Sequence, residues 1–229
     1  MKYDIILIDL DETIFDFKQA EKVALANTLR AYGLEPTEEV VSRYKAINRR
    51  LWEQLELGEV TRQQVLEDRF GKLFESYGLA VDKAACGAAY GDGLSVKHYW
   101  LPGAVEALEK LQGKYRLFIA SNGTASVQRR RMDSADLYRF FEDIFISQEI
   151  GAEKPNREFF EGAFARIPGF DPGRAMIVGD RLSSDIRGGN NAGIATCWVN
   201  AHGEPHNPEI RVDYEIKSLA ELPELLERL

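Results

Sequence analysis

Two carboxylates near the start of the chain, Asp9 and Asp11, are separated by one residue. Side chains alternate in extended backbone, so both carboxyl groups point out of the same edge of a sheet if a strand ends there. Two like charges this close repel unless a cation neutralises them or one of them takes a proton. Both remedies are typical of catalytic sites, although a solvated turn after an ordinary strand gives the same local sequence.

The run that precedes these acids, Tyr-Asp-Ile-Ile-Leu-Ile at residues 3–8, is rich in aliphatic and β-branched side chains. Such a run predicts a strand buried on both faces, as in the middle of a parallel sheet. Ligands of open α/β sheets bind at the carboxyl edge of the strands. We therefore expect Asp9 and Asp11 to lie at a ligand-binding edge.

A second predicted strand, residues 115–120, ends at Ser121. Asn122 and Gly123 follow, and a helix is predicted to begin near Thr124. A hydroxyl and two backbone amides just before a helix N-terminus can donate hydrogen bonds to a phosphate. Alone, Ser121 has the ordinary interpretation of a helix N-cap.

A third predicted strand, residues 175–179, ends at Asp180, and Asp185 follows in the next turn. The carboxyl ends of parallel strands share one edge, so Asp180 should come close to Asp9. Lys154 precedes a proline in a loop and supplies positive charge. Taken singly, the two later acids could be turn or cap residues, and the lysine could be solvated.

Together, these side chains supply what phosphoryl transfer requires: a nucleophile, a proton donor, a cation site and charge stabilisation. Asp9 is the candidate nucleophile, forming an aspartyl-phosphate, and Asp11 is the candidate general acid and base. Mg²⁺ fits between Asp9 and Asp180 because it prefers oxygen ligands. Asp185 would orient the ligands or the lysine, and Lys154 would stabilise charge in the transition state.

The remaining chain has two kinds of pattern. From residue 18 to about 96 the apolar side chains recur at helical spacing without strand signals, which predicts an all-helical insertion. Within it, Thr61 with Gln64 predicts a capping box, and a fourth helix is predicted before Gly91 and Gly93. After residue 101 helices and strands alternate, ending in a helix predicted over residues 219–229, and this alternation predicts a parallel α/β sheet. The fold class expected is therefore α/β, a Rossmann-like parallel sheet core with an inserted helical domain. Aromatic side chains of the insertion are expected to be core residues rather than a substrate pocket.

Composition narrows the functional classes. A net charge of -8 argues against a general nucleic-acid or anionic-membrane binder, and 45% hydrophobic residues in 229 suffice for a buried core. Two cysteines, Cys86 and Cys197, make no disulfide framework and suit a reducing cytoplasm. No stretch reaches membrane-spanning length, and acids interrupt the only N-terminal apolar run. We expect a cytoplasmic protein acting on a small molecule.

The ordered motifs Asp-Leu-Asp-Glu-Thr (9–13), Ser-Asn-Gly (121–123), Lys-Pro (154–155) and Gly-Asp-Arg-Leu-Ser-Ser-Asp (179–185) resemble those of the haloacid dehalogenase-like hydrolase superfamily. The resemblance spans nearly the whole chain. It implies a catalytic core at residues 1–16 and 97–229 and a mobile helical cap at 17–96.

For the individual residues, the resemblance implies that Asp9 is the nucleophile and Asp11 the acid and base. It also implies Mg²⁺ ligation by Asp9, by the backbone carbonyl of Asp11, and at Asp180 and Asp185. Lys154 would be catalytic. The phosphate-binding residues implied are Ser121, Asn122 and Gly123.

The Asp-Leu-Asp-Glu-Thr motif (9–13), together with residues 185–193 and 196–200, is similar to bacterial house-cleaning 5'-nucleotidases that act on pyrimidine nucleotides. The function expected is a Mg²⁺-dependent phosphomonoester hydrolase, with nucleoside 5'-monophosphates, including modified pyrimidines, as substrates. The alternative is a small-metabolite phosphatase acting on phosphoglycolate or a sugar phosphate. A haloacid dehalogenase is less favoured because it needs neither Asp11 nor a metal. A non-enzymatic phospho-switch is less favoured because receiver domains are much shorter.

Overall fold

The computed structural model describes residues 2–229, with the backbone alone at residue 56, so Met1 of the predicted core lies outside the described residues. The chain divides into two compact units. One consists of Met1–Phe17 and His98–Leu229, and the other is Lys18–Lys97.

The first four helices follow the helical pattern of the sequence. Thr61 and Gln64 form the predicted capping box, in which each backbone amide donates to the other residue's side chain. The rings of Tyr44, Phe70 and Tyr90 contact one another in the interior of the helical unit, as expected for core aromatics. The helices are α1 Phe17–Ala31, α2 Glu38–Glu56, α3 Arg62–Glu75 and α4 Lys83–Ser95.

The end of α4 differs from the prediction, which placed this helix before Gly91 and Gly93. The helix continues through both glycines to Ser95. Helix α1 packs so closely on α4 that a Cβ added at Gly93 would lie 3.2 Å from the Cβ of Ala24. The glycine therefore serves helix packing here, and the expectation of a stop at these glycines was wrong.

The other unit contains a six-stranded parallel sheet in the order β3-β2-β1-β4-β5-β6. Strand β1 lies between β2 and β4, so the connections run in opposite directions from it and create the switch point at which α/β sheets bind ligands. The strands are β1 Ile5–Ile8, β2 Arg116–Ser121, β3 Asp143–Ile146, β4 Ala175–Gly179, β5 Ala195–Val199 and β6 Tyr214–Ile216.

The central strands are buried on both faces, as their continuous apolar runs predict. On β1, Ile6 and Ile8 pack in one hydrophobic cluster, whereas Ile5 and Leu7 pack in another on the opposite face. All four of these side chains are at most 1% exposed. The predicted α/β fold class with a parallel sheet is confirmed.

In the described residues of this unit, six further α-helices connect or follow the strands. A single π-helical turn, Leu182–Ile186, follows β4. The last predicted helix, 219–229, is shorter than expected because its first residues form a 3-10 turn, Leu219–Glu221. The helices are α5 Ala104–Leu111, α6 Ala125–Ser134, α7 Ser147–Ile150, α8 Arg157–Phe164, α9 Arg187–Ala192 and α10 Leu222–Glu227.

Both cysteines, Cys86 and Cys197, are buried free thiols, as the sequence predicts. Burial raises the pKa of each thiol to about 12, so neither is a reactive thiolate at neutral pH. Within residues 2–229, none of the helices is long and apolar enough to cross a membrane.

Candidate active site

Asp9 is the first residue after β1, the strand at the centre of the sheet. Its amide donates to the carbonyl of Val178 on β4 at 2.9 Å, which continues the sheet hydrogen bonding past the end of the strand. The residue is 8% exposed. The strand thus delivers a nearly buried carboxylate to the carboxyl edge at the switch point.

Lys154 joins two of the predicted site acids. Its ammonium group donates to Asp9 Oδ1 at 2.7 Å, to Asp185 Oδ1 at 2.6 Å and to the carbonyl of Ala120 at 2.6 Å. The lysine is 1% exposed, so these three acceptors replace the water that a surface lysine would bind. The interpretation of Lys154 as a solvated loop lysine is therefore wrong.

Asp180 and Asp185 come to the same place from the segment after β4. Carboxylate oxygens of Asp9, Asp180 and Asp185 lie within 4.8 Å of one another, the arrangement of a possible metal site. The amide of Arg181 donates to Asp185 Oδ2 at 3.0 Å. A Cβ at Gly179 would lie 2.4 Å from the Cγ of Asp185, so this approach requires glycine.

The charges of this cluster are not balanced within the protein. Burial, opposed by Lys154 and reinforced by Asp185, raises the pKa of Asp9 to about 7. Burial and the neighbouring carboxylates of Asp9 and Asp185 raise the pKa of Asp180 well above its ordinary value. Burial lowers the pKa of Lys154, but Asp185 and Asp9 outweigh it, so the net shift is upward and the ammonium stays charged.

Ser121, Asn122 and Gly123 form the turn between β2 and α6. The hydroxyl of Ser121 accepts from the amide of Gly123 at 3.1 Å. The side chain of Asn122 bonds the backbone of Lys154 in both directions, each at 2.8 Å. Asn122 thus fixes the loop that carries Lys154, a role that the sequence did not suggest for its side chain.

The side chain of Asp11 does not belong to the group of three carboxylates and instead contacts helix α6. Its Oδ2 accepts from Gln128 Nε2 at 2.6 Å, and its Oδ1 accepts from Arg131 Nη1 at 2.5 Å. Both partners are on α6 and buried. Sequence reasoning missed them because Arg131 follows Arg129 and Arg130 in a run that reads as a solvated charged helix face.

The haloacid dehalogenase-like hydrolase family matches residues 3–193, most of the chain. The chain therefore belongs to this family of hydrolases, as its motifs predicted, and the prediction that it is an enzyme is confirmed.

Among its relatives, the HAD-hydrolase YfnB of Bacillus subtilis (strain 168) is 38% identical over 98% of this chain and 96% of YfnB. A crystal structure of YfnB bound to magnesium matches with a TM-score of 0.93 over 99% of both chains. The pyrimidine 5'-nucleotidase PynA of Streptococcus pneumoniae (strain ATCC BAA-255 / R6) is 34% identical over 100% of this chain and 97% of PynA. The pyrimidine 5'-nucleotidase YjjG of Escherichia coli (strain K12) is 34% identical over 99% of both chains.

Proposed function

We propose that this protein is a Mg²⁺-dependent phosphomonoester hydrolase that acts through an aspartyl-phosphate on Asp9, with pyrimidine nucleoside 5'-monophosphates as its substrates. The observation that carries the chemistry is the ion cluster at the end of β1, in which Lys154 bridges Asp9 and Asp185. The same proposal assigns the chemistry to a core of residues 1–16 and 97–229 and the role of a cap to residues 17–96.

The nucleophile in this proposal is Asp9. Lys154 holds Oδ1 of Asp9, and we assign the attack on phosphorus to Oδ2. The ester bond to the leaving oxygen breaks as the bond from Oδ2 to phosphorus forms. Lys154 carries a fixed positive charge beside the reacting carboxylate, where it stabilises the charge that develops on the phosphoryl group.

Asp11 moves the protons. In the first step its carboxylic acid protonates the leaving oxygen and becomes a carboxylate. In the second step that carboxylate takes a proton from the water that attacks phosphorus, which releases inorganic phosphate and restores Asp9. Both oxygens of Asp11 accept hydrogen bonds, from Gln128 and from Arg131, which hold the carboxyl group in place.

The phosphoryl oxygens are assigned to the Ser121 turn. The hydroxyl of Ser121 accepts from the amide of Gly123 and from the side chain of Gln128, so its own proton can point toward a phosphate. The turn precedes the N-terminus of α6, where the helix dipole favours an anion.

A divalent cation fits the acidic cluster. Carboxylate oxygens of Asp9, Asp180 and Asp185 lie within 4.8 Å of one another, and the ammonium of Lys154 contacts two of the three, those of Asp9 and Asp185. The excess of negative charge matches a divalent ion, and all donors are the carboxylate oxygens that Mg²⁺ prefers. When bound, Mg²⁺ would neutralise phosphoryl and carboxylate charge. The magnesium in the YfnB crystal structure supports this assignment.

The substrate class is supported by the two pyrimidine 5'-nucleotidases that the chain resembles over its whole length. A phosphorylated small molecule as substrate also agrees with the predicted cytoplasmic location. The free thiols of Cys86 and Cys197 support that location. The runner-up is a phosphoglycolate or sugar phosphate phosphatase, since the same core supports other phosphate esters.

A substrate panel tests the proposal. Wild type and Asp9→Asn are assayed for phosphate release from pyrimidine and purine nucleoside monophosphates, phosphoglycolate and hexose phosphates, with Mg²⁺ and with EDTA. We expect wild type to require Mg²⁺ and to prefer pyrimidine nucleotides in kcat/KM. Asp9→Asn should lose several orders of magnitude, on the scale of about 10⁴-fold or more.

The possible outcomes test the covalent mechanism and the substrate class separately. Near-wild-type turnover by Asp9→Asn would defeat the covalent mechanism. If phosphoglycolate or a sugar phosphate exceeded every nucleotide about tenfold in kcat/KM, about 1.4 kcal/mol, the nucleotidase assignment would fall and the phosphatase chemistry would stand.

A further inference from the structure

The carboxylate of Asp11 is held at both oxygens by two buried residues of α6. Arg131 donates to Oδ1 at 2.5 Å, and Gln128 donates to Oδ2 at 2.6 Å. We propose that Arg131 and Gln128 are positioning residues for proton transfer, which fix Oδ1 of Asp11 and leave Oδ2 as the oxygen that exchanges protons. The inference rests on the proposed function and adds a pair of residues to it.

Burial of the Arg131 guanidinium lowers the stability of the fold unless its charge and all of its N–H donors are paired. The residue is 0% exposed, and its Nε and Nη2 have no hydrogen-bond partner within the described part of the chain. The guanidinium lies 5.1 Å from the ring centroid of Phe15 and 5.6 Å from that of Phe17, which offers cation–π attraction but no acceptors. A well-packed apolar side chain at such a site is often at least as stabilising. The placement of a fixed charge against Asp11 therefore points to function.

Gln128 has its amide orientation fixed by two neighbours. Its Oε1 accepts from Arg131 Nη1 at 2.8 Å, so Nε2 must face the other way, toward Asp11 and Ser121. A Cβ at Gly123 would lie 2.3 Å from this Nε2, so the absence of a side chain at Gly123 admits the amide. Gln128 thus links the proposed phosphate turn to the proposed acid.

The two hydrogen bonds differ in strength because one donor is charged. A bond from a guanidinium to a carboxylate is roughly twice as strong as one from a neutral amide. Oδ2 therefore exchanges its partner more readily than Oδ1. In the first step Oδ2–H gives its proton to the leaving oxygen, and in the second Oδ2 takes a proton from water, while Arg131 keeps the carboxyl group oriented through Oδ1.

The test compares two leaving groups. Wild type, Arg131→Met, Arg131→Lys and Gln128→Leu are assayed with a pyrimidine nucleoside monophosphate, whose alkoxide needs protonation, and with p-nitrophenyl phosphate, whose phenolate does not. We expect Arg131→Met to lower kcat/KM for the nucleotide about 10- to 100-fold, with less than about threefold loss for the aryl phosphate. Arg131→Lys should recover part of the loss, and Gln128→Leu should show the same selectivity in weaker form.

A matched control is available on the same helix. Arg129 pairs with Glu149 at 2.7 Å on the surface, so Arg129→Met removes an arginine of α6 that does not contact Asp11. It should leave both substrates unchanged. In the Asp11→Asn background, Arg131→Met should cause no further loss beyond about twofold, because the residue through which it acts is gone.

A merely structural role of Arg131 would lower both substrates equally and would persist in the Asp11→Asn background, and either result overturns the inference. Should Arg131→Met fail to fold, Gln128→Leu and Arg131→Lys decide the question by the same criterion. Wild type inactive on both phosphates would defeat the proposed function and the inference together. An active wild type whose leaving-group preference is unchanged in all three variants would defeat the inference alone.

Discussion

Lys154→Met should destabilise the protein strongly although the change removes no apolar surface. The ammonium group donates three hydrogen bonds of 2.6–2.7 Å from a site that is 1% exposed. Methionine replaces the aliphatic part of the side chain but leaves the carboxylates of Asp9 and Asp185 buried without their cation. Removing one partner of a buried ion pair costs about 3–5 kcal/mol. For a chain of this size that corresponds to a fall in Tm of about 10 °C.

The loss of stability in Lys154→Met should increase as the pH rises. Burial already raises the pKa of Asp9 to about 7, and Lys154 opposes that rise. Without the lysine, the pKa of Asp9 in the folded protein rises further above its value in the unfolded chain. There is then a wider pH range in which the folded variant keeps this proton and the unfolded chain has lost it. Stability then falls as pH rises through this range. We expect the difference in Tm between Lys154→Met and wild type to be larger at pH 8 than at pH 5.

The assay is thermal unfolding followed by circular dichroism in EDTA. Lys114→Met is the control, because Lys114 pairs with Glu227 at 3.2 Å with both side chains more than half exposed. A surface pair of this kind contributes about 0.5 kcal/mol or less. The reasoning is refuted if Lys154→Met melts within about 2 °C of wild type at pH 8, or if its deficit grows toward pH 5.

Two further predictions follow from the same cluster. Burial and acidic neighbours raise the pKa of Asp180, so Asp180→Asn removes an unfavourable charge and should raise Tm in EDTA. The stabilisation by added Mg²⁺ should shrink, and an unchanged Mg²⁺ response would argue against Asp180 as a ligand. Wild type in EDTA should lose stability as pH rises from about 4 to about 7, the interval between the ordinary pKa of an aspartate and that of Asp9. Millimolar Mg²⁺ should reduce this dependence of Tm on pH, and a metal-free Tm that rises across the interval would contradict the raised pKa.

The convergence of distant residues was predictable because it depends on strand ends. Asp9, Ser121 and Asp180 each end an apolar run, and parallel strands bring such ends to one edge. The side-chain contacts were harder to predict. Three arginines in succession on α6 look alike in the sequence, and only the rotation of the helix buries Arg131 against Asp11 while Arg129 faces Glu149.

Glycines mark the second limit of sequence reasoning. Gly93 was expected to lie past the end of α4, but it lies inside the helix where α1 approaches. Gly179 makes room for the carboxylate of Asp185. A glycine in a sequence indicates either backbone freedom or a close neighbour, and the neighbour is known only when the packing is known.

The acids of the site divide into two electrostatic groups, and that division fits the different roles that we propose for two residues so close in sequence. Asp9 shares Lys154 with Asp185, and Asp180 adds a third carboxylate to the cluster, an excess of acidic groups that suits the metal proposed there. The carboxylate of Asp11 pairs instead with the buried guanidinium of Arg131. In the proposed reaction the nucleophile stays beside the metal, whereas the acid and base exchanges protons with a leaving group and with water. The side-chain partners of the two aspartates match that difference.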